Sequence, residues 1–307
     1  MRLSVVVLGL VCVGALGIGI AAPAVQDEDV RGAFITSRPK DKPAGSEGAP
    51  RVSSRRRPKS TGPSNADKVV DKSPDKTPNK PSNPGHSTKP SEPATPVNAR
   101  RMGLGVTLFM RDSSGLAVRV DPERVFRKGD RIRILLETNT DGYLYIFNTT
   151  DDGAATMIYP DPELDEAGNY LQAHVPFEIP TSLSTDERLR WFAFDNVAGT
   201  ERVFFVFTRE PLSGIPIDDE LVALCRESKD RCPVRPSSEV WASVQKHLQE
   251  PLKTDKTQEF GKAQTSTEQV ATSRGLGLAK DDPQPSVVMM ASSPRSTLVA
   301  TLDLIHK

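Results

Sequence analysis

No aromatic residue occurs between Phe34 and Phe109, and twelve of the chain's 26 Pro fall between Pro39 and Pro96. Within residues 38–101 there are 15 basic and 6 acidic side chains. Such a stretch cannot bury enough apolar surface to offset the entropy of ordering it. It reads as a disordered, Pro/Lys-rich linker, reaching about 200 Å if fully extended. The remaining charge compensates it, because residues 1–37 carry a net −1 and residues 102–307 a net −8. The 307-residue chain therefore has zero formal net charge. That balance excludes a generally basic nucleic-acid binder, and the linker lacks the interleaved aromatics of a single-strand-binding arm. Two uses of the linker stay open. One is a solvated spacer. The other is a basic tether for anionic envelope polymers or lipid head groups, favoured by Arg55-Arg56-Arg57 with Lys59.

The N-terminus reads as an export segment. Arg2 precedes an apolar run from Leu3 to Ala22, then the small-residue site Ala22-Pro23-Ala24 and the polar Gln26-Asp27-Glu28-Asp29. The run also has the length of a membrane anchor. Cleaved signal and uncleaved anchor both place the rest of the chain outside the cytoplasm, since Arg2 stays inside. That means periplasm, cell surface or secretion. Cys12 follows Leu10-Val11, without the small residue expected before a lipidated Cys. The resulting division is 1–24 signal peptide or membrane anchor, 25–101 linker and 102–307 folded domain.

From Arg101 onward short strands dominate. Val106, Leu108 and Met110 alternate with Thr107 and Phe109; Ile132, Ile134 and Leu136 alternate with Arg131, Arg133 and Leu135. Leu116–Val120 is a second short run. Asp141-Gly142 reads as a hairpin turn ahead of Tyr143-Leu144-Tyr145-Ile146-Phe147, which is apolar on both faces. Asp151-Asp152-Gly153 is a further turn before Ala155–Tyr159. Trp191–Phe194, Val203–Phe207, Val287–Met290 and Thr297–Ile305 complete the strands. Two helices interrupt them. One covers Asp218–Cys225; the other covers Ser238–Gln249, which begins after Ser237-Ser238 and stops before Pro251. The polar stretch Lys253–Thr272 reads as a loop. The expected fold is mainly β, an antiparallel β-sandwich-like domain with two short helices.

Candidate chemistry is sparse. Cys225 and Cys232 are the two Cys left if the signal is removed, and an even pair in an oxidising compartment reads as a structural disulfide. Their spacing is not C-x-x-C, which argues against a redox or metal pair. Glu137, Asn139, Asp141 and Gly142 imitate the start of a calcium loop, but Asn148 stands where the bidentate carboxylate belongs. Asp161, Glu163, Asp165 and Glu166 form an acidic loop that reads as solvated and turn-rich, with a weak calcium site as the alternative. His86, His174, His247 and His306 form no H-E-x-x-H or H-x-H arrangement. There is no G-x-S-x-G elbow, and Gly275-Leu276-Gly277 does not continue as a phosphate loop. Asn148-Thr149-Thr150 matches a glycosylation sequon. Tyr143, Tyr145, Phe147, Phe204, Phe205 and Phe207 sit at strand spacing in apolar runs and read as core. No catalytic residue, cofactor or metal ligand is assigned.

Gly142–Asn148, followed by Ile158-Tyr159-Pro160, resembles the bacterial family catalogued as domain of unknown function 4384. Phe177-Glu178-Ile179-Pro180, Gly199-Thr200-Glu201 with Val203–Phe207 and Glu210-Pro211, and Leu302–His306 resemble later strands of that family, so that the likeness covers about residues 104–306. It implies a β-sandwich-like domain in exported or multidomain bacterial proteins. Some members carry caspase-like peptidase or kinase modules, and no such module is present here; the family carries no established catalytic residues to transfer. The functional expectation is a non-enzymatic extracytoplasmic binding module on a flexible linker. Its partner would be a protein or an envelope polymer, with membrane attachment through the N-terminal segment as one option. The alternatives are a structural envelope protein and a hydrolase using carboxylates such as Asp151, Asp152, Asp161 or Glu163.

Overall fold

The computed structural model describes residues 29–40, 100–162, 168–228 and 232–307. The export segment 1–24 with Cys12, and residues 41–99 with Arg55-Arg56-Arg57, Lys59 and His86, lie outside the described residues. So do Glu163, Asp165 and Glu166.

Period-two alternation builds two antiparallel sheets. The first runs in spatial order β10 (Leu252–Lys256), β11 (Val287–Ala291), β1 (Gly103–Arg111), β3 (Arg131–Thr138) and β7 (Phe177–Ile179). β2 (Ala117–Arg119) lies beside β1, and β8 (Phe192–Ala193) beside β3. The second sheet runs β12 (Thr297–His306), β9 (Gly199–Thr208), β4 (Gly142–Thr150) and β5 (Thr156–Tyr159), with β6 (Tyr170–Leu171) beside β4. Between the sheets lies the main core. Leu104, Val106 and Leu108 of β1 and Ile132, Ile134 and Leu136 of β3 meet Leu144, Ile146, Phe205 and Phe207 of the second sheet. Each such side chain contributes roughly 1.5–3 kcal/mol by leaving water.

The outer faces of the two sheets are covered differently. On the second sheet, α2 (Asp218–Glu227) and α3 (Ser238–Leu248) lie over Tyr143, Tyr145, Phe147, Phe204, Val206 and Val299. The aromatics read as core from the sequence are all buried. The α3 cap is the expected one, Ser237 accepting from the Val240 amide. On the first sheet the cover is made of chain segments from far away in sequence.

Two of those segments depart from the sequence reading. Residues 29–40, placed in the linker, instead form α1 (Val30–Thr36) with its flanks, docked on β11. Phe34 and Ile35 pack on Val288 and Met290, and Arg38 is buried. Local composition misses this, because the apolar partners of Phe34 and Ile35 are supplied by β11. The polar stretch Lys253–Thr272 is not one loop: it holds most of β10, and α4 (Ser266–Arg274) begins within it. Thr265 and Glu268 form a reciprocal capping box at the start of α4. Among the described residues there are thus four α-helices, where two were expected.

The Asp141-Gly142 hairpin is also corrected. β3 ends in the first sheet and β4 begins in the second, so the dipeptide turns a corner between sheets. Gly142 is required for close approach: a Cβ there would sit 2.5 Å from the Thr208 carbonyl oxygen. The Asp141 carboxylate accepts from the Ala173 amide at 2.8 Å. The Asp151-Asp152-Gly153 turn does join a hairpin, between β4 and β5, with positive φ at Asp151 and Asp152.

Candidate functional site: a buried ion-pair layer

In an antiparallel strand, alternate side chains leave the core face. On β1, β3 and β7 those outward positions include Thr107, Arg133, Glu137 and Glu178, and Arg119 joins them from β2. All are buried. Charged groups at such positions must be paired if they are to remain charged.

The densest cluster surrounds Glu137. Arg38 donates Nε to Glu137 Oε1 at 2.8 Å and Nη2 to Oε2 at 2.6 Å. Its remaining N–H groups reach the carbonyls of Ala279 at 3.1 Å, Asp282 at 3.0 Å and Pro283 at 2.9 Å. A guanidinium has five N–H donors, and all five find acceptors here. A Lys ammonium, with three donors and no fork, could not satisfy the same set. Burial pushes the Glu137 carboxyl up, but the hydrogen bonds from His174 and Arg38 and the Arg38 charge outweigh it and hold the group below its ordinary range.

His174 completes the cluster. Its Nδ1 lies 2.8 Å from Glu137 Oε1 and its Nε2 lies 2.9 Å from Ser37 Oγ. Its backbone has φ +59°, and Phe34 packs edge-on against the ring. Ser37, His174 and Glu137 thus stand in the order of a serine-hydrolase triad. Two contacts work against that use. Ser37 Oγ also lies 2.5 Å from the Phe34 carbonyl, which can only accept, so the hydroxyl proton is committed there. Arg38 holds both oxygens of the carboxylate. The cluster is built as a latch on α1.

Two further pairs extend the layer. Arg119 pairs with Glu268 of α4, whose other oxygen accepts from the Thr265 amide at 2.9 Å and hydroxyl at 2.8 Å. Burial lowers the Arg119 guanidinium and Glu268 pulls it back up. Arg133 lies 3.9 Å from Glu178, which also accepts from Gln264, and stacks 4.0 Å above the Trp191 ring. The gap between the layer and its cover, lined by Thr107, Glu137, Glu268, Leu278 and Pro285, is about 10 Å³. That is at the lower limit for a single water and far below the size of a small-molecule pocket.

The residues singled out from sequence fall elsewhere. Cys225 and Cys232 are bonded, with Cα atoms 5.4 Å apart, at the C-terminal end of α2. The calcium-like set is dispersed: Glu137 is in the latch and Asn139 Oδ1 accepts from the Gly103 amide at 2.7 Å. Among the described residues, no group of three His, Cys, Asp or Glu could hold a metal ion. Asp151 accepts from the Thr200 amide at 2.8 Å, and Asp152 pairs with Arg202 at 2.9 Å. Asn148 of the sequon donates Nδ2 to Glu201 at 2.6 Å within β4. Ser37, Arg38, Arg119, Arg133, Glu178, Gln264 and Glu268 were not singled out. Gly103-Leu104-Gly105 inside a strand was the available signal, since Gly there marks a close approach: a Cβ at Gly103 would lie 2.9 Å from the Phe34 ring.

No helix among the described residues is long and apolar enough to cross a membrane. No curated protein and no solved structure matches the chain. Residues 125–211, which include Glu137, His174 and Glu178 but not Arg38, Arg119 or Glu268, match the family described as Domain of unknown function (DUF4384), the family that the Gly142–Asn148 and Tyr159-Pro160 motifs resemble.

Proposed function

We propose that residues 102–307 form a non-enzymatic, extracytoplasmic binding module of a bacterial cell envelope. The observation that carries this reading is the use made of buried charge. Arg38, Glu137, His174, Arg119 and Glu268 hold distant chain segments to a sheet face. Binding peptide segments is therefore chemistry this face already performs. The Cys225–Cys232 bond supports an oxidising compartment, in keeping with the export segment read at residues 1–24. The partner is a protein or an envelope polymer.

The docked α1 alters the role of the linker. The chain is held to the domain at Pro39, whose carbonyl accepts from the Lys280 amide at 3.2 Å. It is held again at Arg100, whose carbonyl accepts from Arg209 at 2.8 Å. With both ends on one body, residues 41–99 are a connection from the domain to itself while α1 stays docked.

The test uses the purified full chain, an envelope fraction and a fluorophosphonate probe. Saturable binding to the envelope fraction, with Ser37 unlabelled, is the expected result. Labelling that Ser37→Ala abolishes would replace this reading with acyl transfer at the Ser37–His174–Glu137 cluster. Absence of saturable binding would leave the module without support.

A further inference from the structure

We propose that the seat of α1 is a peptide-docking site whose other occupant is residues 29–40 of a second copy of this chain. The proposal deepens the binding-module reading by naming a partner, and rests on it only in that respect.

The segment meets its seat as a separate peptide would. Its contacts are to residues far along the chain: Arg38 to Glu137 across 99 positions, Arg31 to Asp255 across 224 and to Pro285 across 254. α1 has seven residues, and a helix that short does not persist in water on its own. Its order therefore comes from docking. The covalent connection back to the domain is 59 residues long, from 41 to 99. Across such a length an intramolecular ligand acts at an effective concentration of roughly millimolar or less. A second copy can compete once it is crowded close by, or once the resident segment is disabled.

The seat is specific. Phe34 enters over β1 where Gly103 and Gly105 leave room, and a Cβ at Gly105 would clash with Pro285. Ile35 rests with it on Val288 and Met290. Arg38 fills a socket of one carboxylate and three carbonyls that matches its five donors one for one. Arg31 pins the other end, donating to Asp255 Oδ1 at 2.5 Å and to the Pro285 carbonyl at 2.6 Å. The ligand that satisfies all of these at once is the segment itself. Every copy carries one segment and one seat, so reciprocal exchange closes as a two-fold dimer.

The test uses a fluorescent synthetic peptide of residues 27–40 and full-length protein. Arg38→Glu places a carboxylate against Glu137 and empties the seat without touching the domain. Peptide anisotropy should rise saturably with Arg38→Glu protein, at an apparent affinity at least about tenfold tighter than with wild type, whose seat is filled. A peptide carrying Arg38→Lys should lose about tenfold or more on the same protein. Equal binding to both proteins, or none to Arg38→Glu, would overturn the docking site. If Arg38→Glu fails to fold, Phe34→Ala empties the same seat and takes its place. For exchange between copies, Arg38→Glu protein (free seat) is mixed with Glu137→Gln protein (free segment) and sedimented. A species of twice the monomer mass in the mixture alone is expected. A monomeric mixture, with the peptide still bound, would confine the segment to its own chain. Binding to the envelope fraction reads a different contact, so its outcome stands apart from both arms.

Discussion

The two outer faces of the sandwich are covered by different chemistry, apolar throughout on one and, beside the Phe34–Ile35 contact with Val288 and Met290, largely ionic on the other. On the second sheet, α2 and α3 lie over Tyr145, Phe147, Phe204 and Val299, and the contact is apolar. On the first, α1, α4 and the loop before β11 lie over Arg119, Arg133, Glu137 and Glu178. The apolar cover needs only matching shape, and its helices follow β9 closely in the chain. The charged cover needs register, because each buried ion must meet its own partner. An ion pair adds little net stability when both partners are buried, yet removing one partner is costly. On the first face each covering segment thus brings its own ionic partner, while on the second the contact is apolar.

Substitutions on each face can break that contrast. Glu268→Ala should have the largest effect, about 3–5 kcal/mol from stranding Arg119 beneath α4. Losing the Glu268 half of the capping box makes a smaller addition, since the Thr265 hydroxyl still accepts from the residue-268 amide. Chemical denaturation reads the loss, and a value near that of an exposed Glu would refute the ionic pairing of that face. Phe147→Ala, under Trp241 on the apolar face, should cost about 3–5 kcal/mol as one cooperative transition. Reduction of Cys225–Cys232 should cost about 2–3 kcal/mol, read as a lowered melting temperature.

Arg38→Ala should have a smaller, local effect. The α1 segment can leave the surface, so the penalty on Glu137 is capped by the free energy of docking. Hydrogen exchange of residues 30–38 should accelerate while α3 stays protected. Acid sharpens the same distinction. Glu137 is held below its ordinary range in the folded state, so its contribution is complete above the unfolded value of about 4.3. It is lost as pH falls through the lower folded value. Exchange in residues 30–38 should therefore rise in that acid window before α3 responds. Simultaneous loss in both regions would mean that the two covers are not independent.

The strands were legible wherever one face was apolar, as in Ile132–Leu136 and Val203–Phe207. The resemblance carried by Gly142–Asn148 and Tyr159-Pro160 also held over residues 125–211. Asp141-Gly142 misled because a turn dipeptide does not say whether the next strand pairs with the last or crosses to the other sheet. The capping box Thr265-Ser266-Thr267-Glu268 was readable but lay in a polar stretch with weak amphipathic patterning. The one local sign of the latch is Gly103-Leu104-Gly105, which marks a close approach on β1 without saying what approaches. Arg38 looks like one more basic residue at the edge of a Pro-rich region, and Glu137 like the first position of an incomplete calcium loop.

The sequence by itself determined the alternation that makes the sheets, the helix from Ser238 and the cysteine pair, because each depends on residues a few positions apart. Tertiary structure alone decided which strands share a sheet, that residues 29–40 belong to the folded body, and that Arg38 meets Glu137 and His174. Those outcomes depend on burial, and whether a charge ends in water or in a socket is settled only when segments a hundred residues distant close over it.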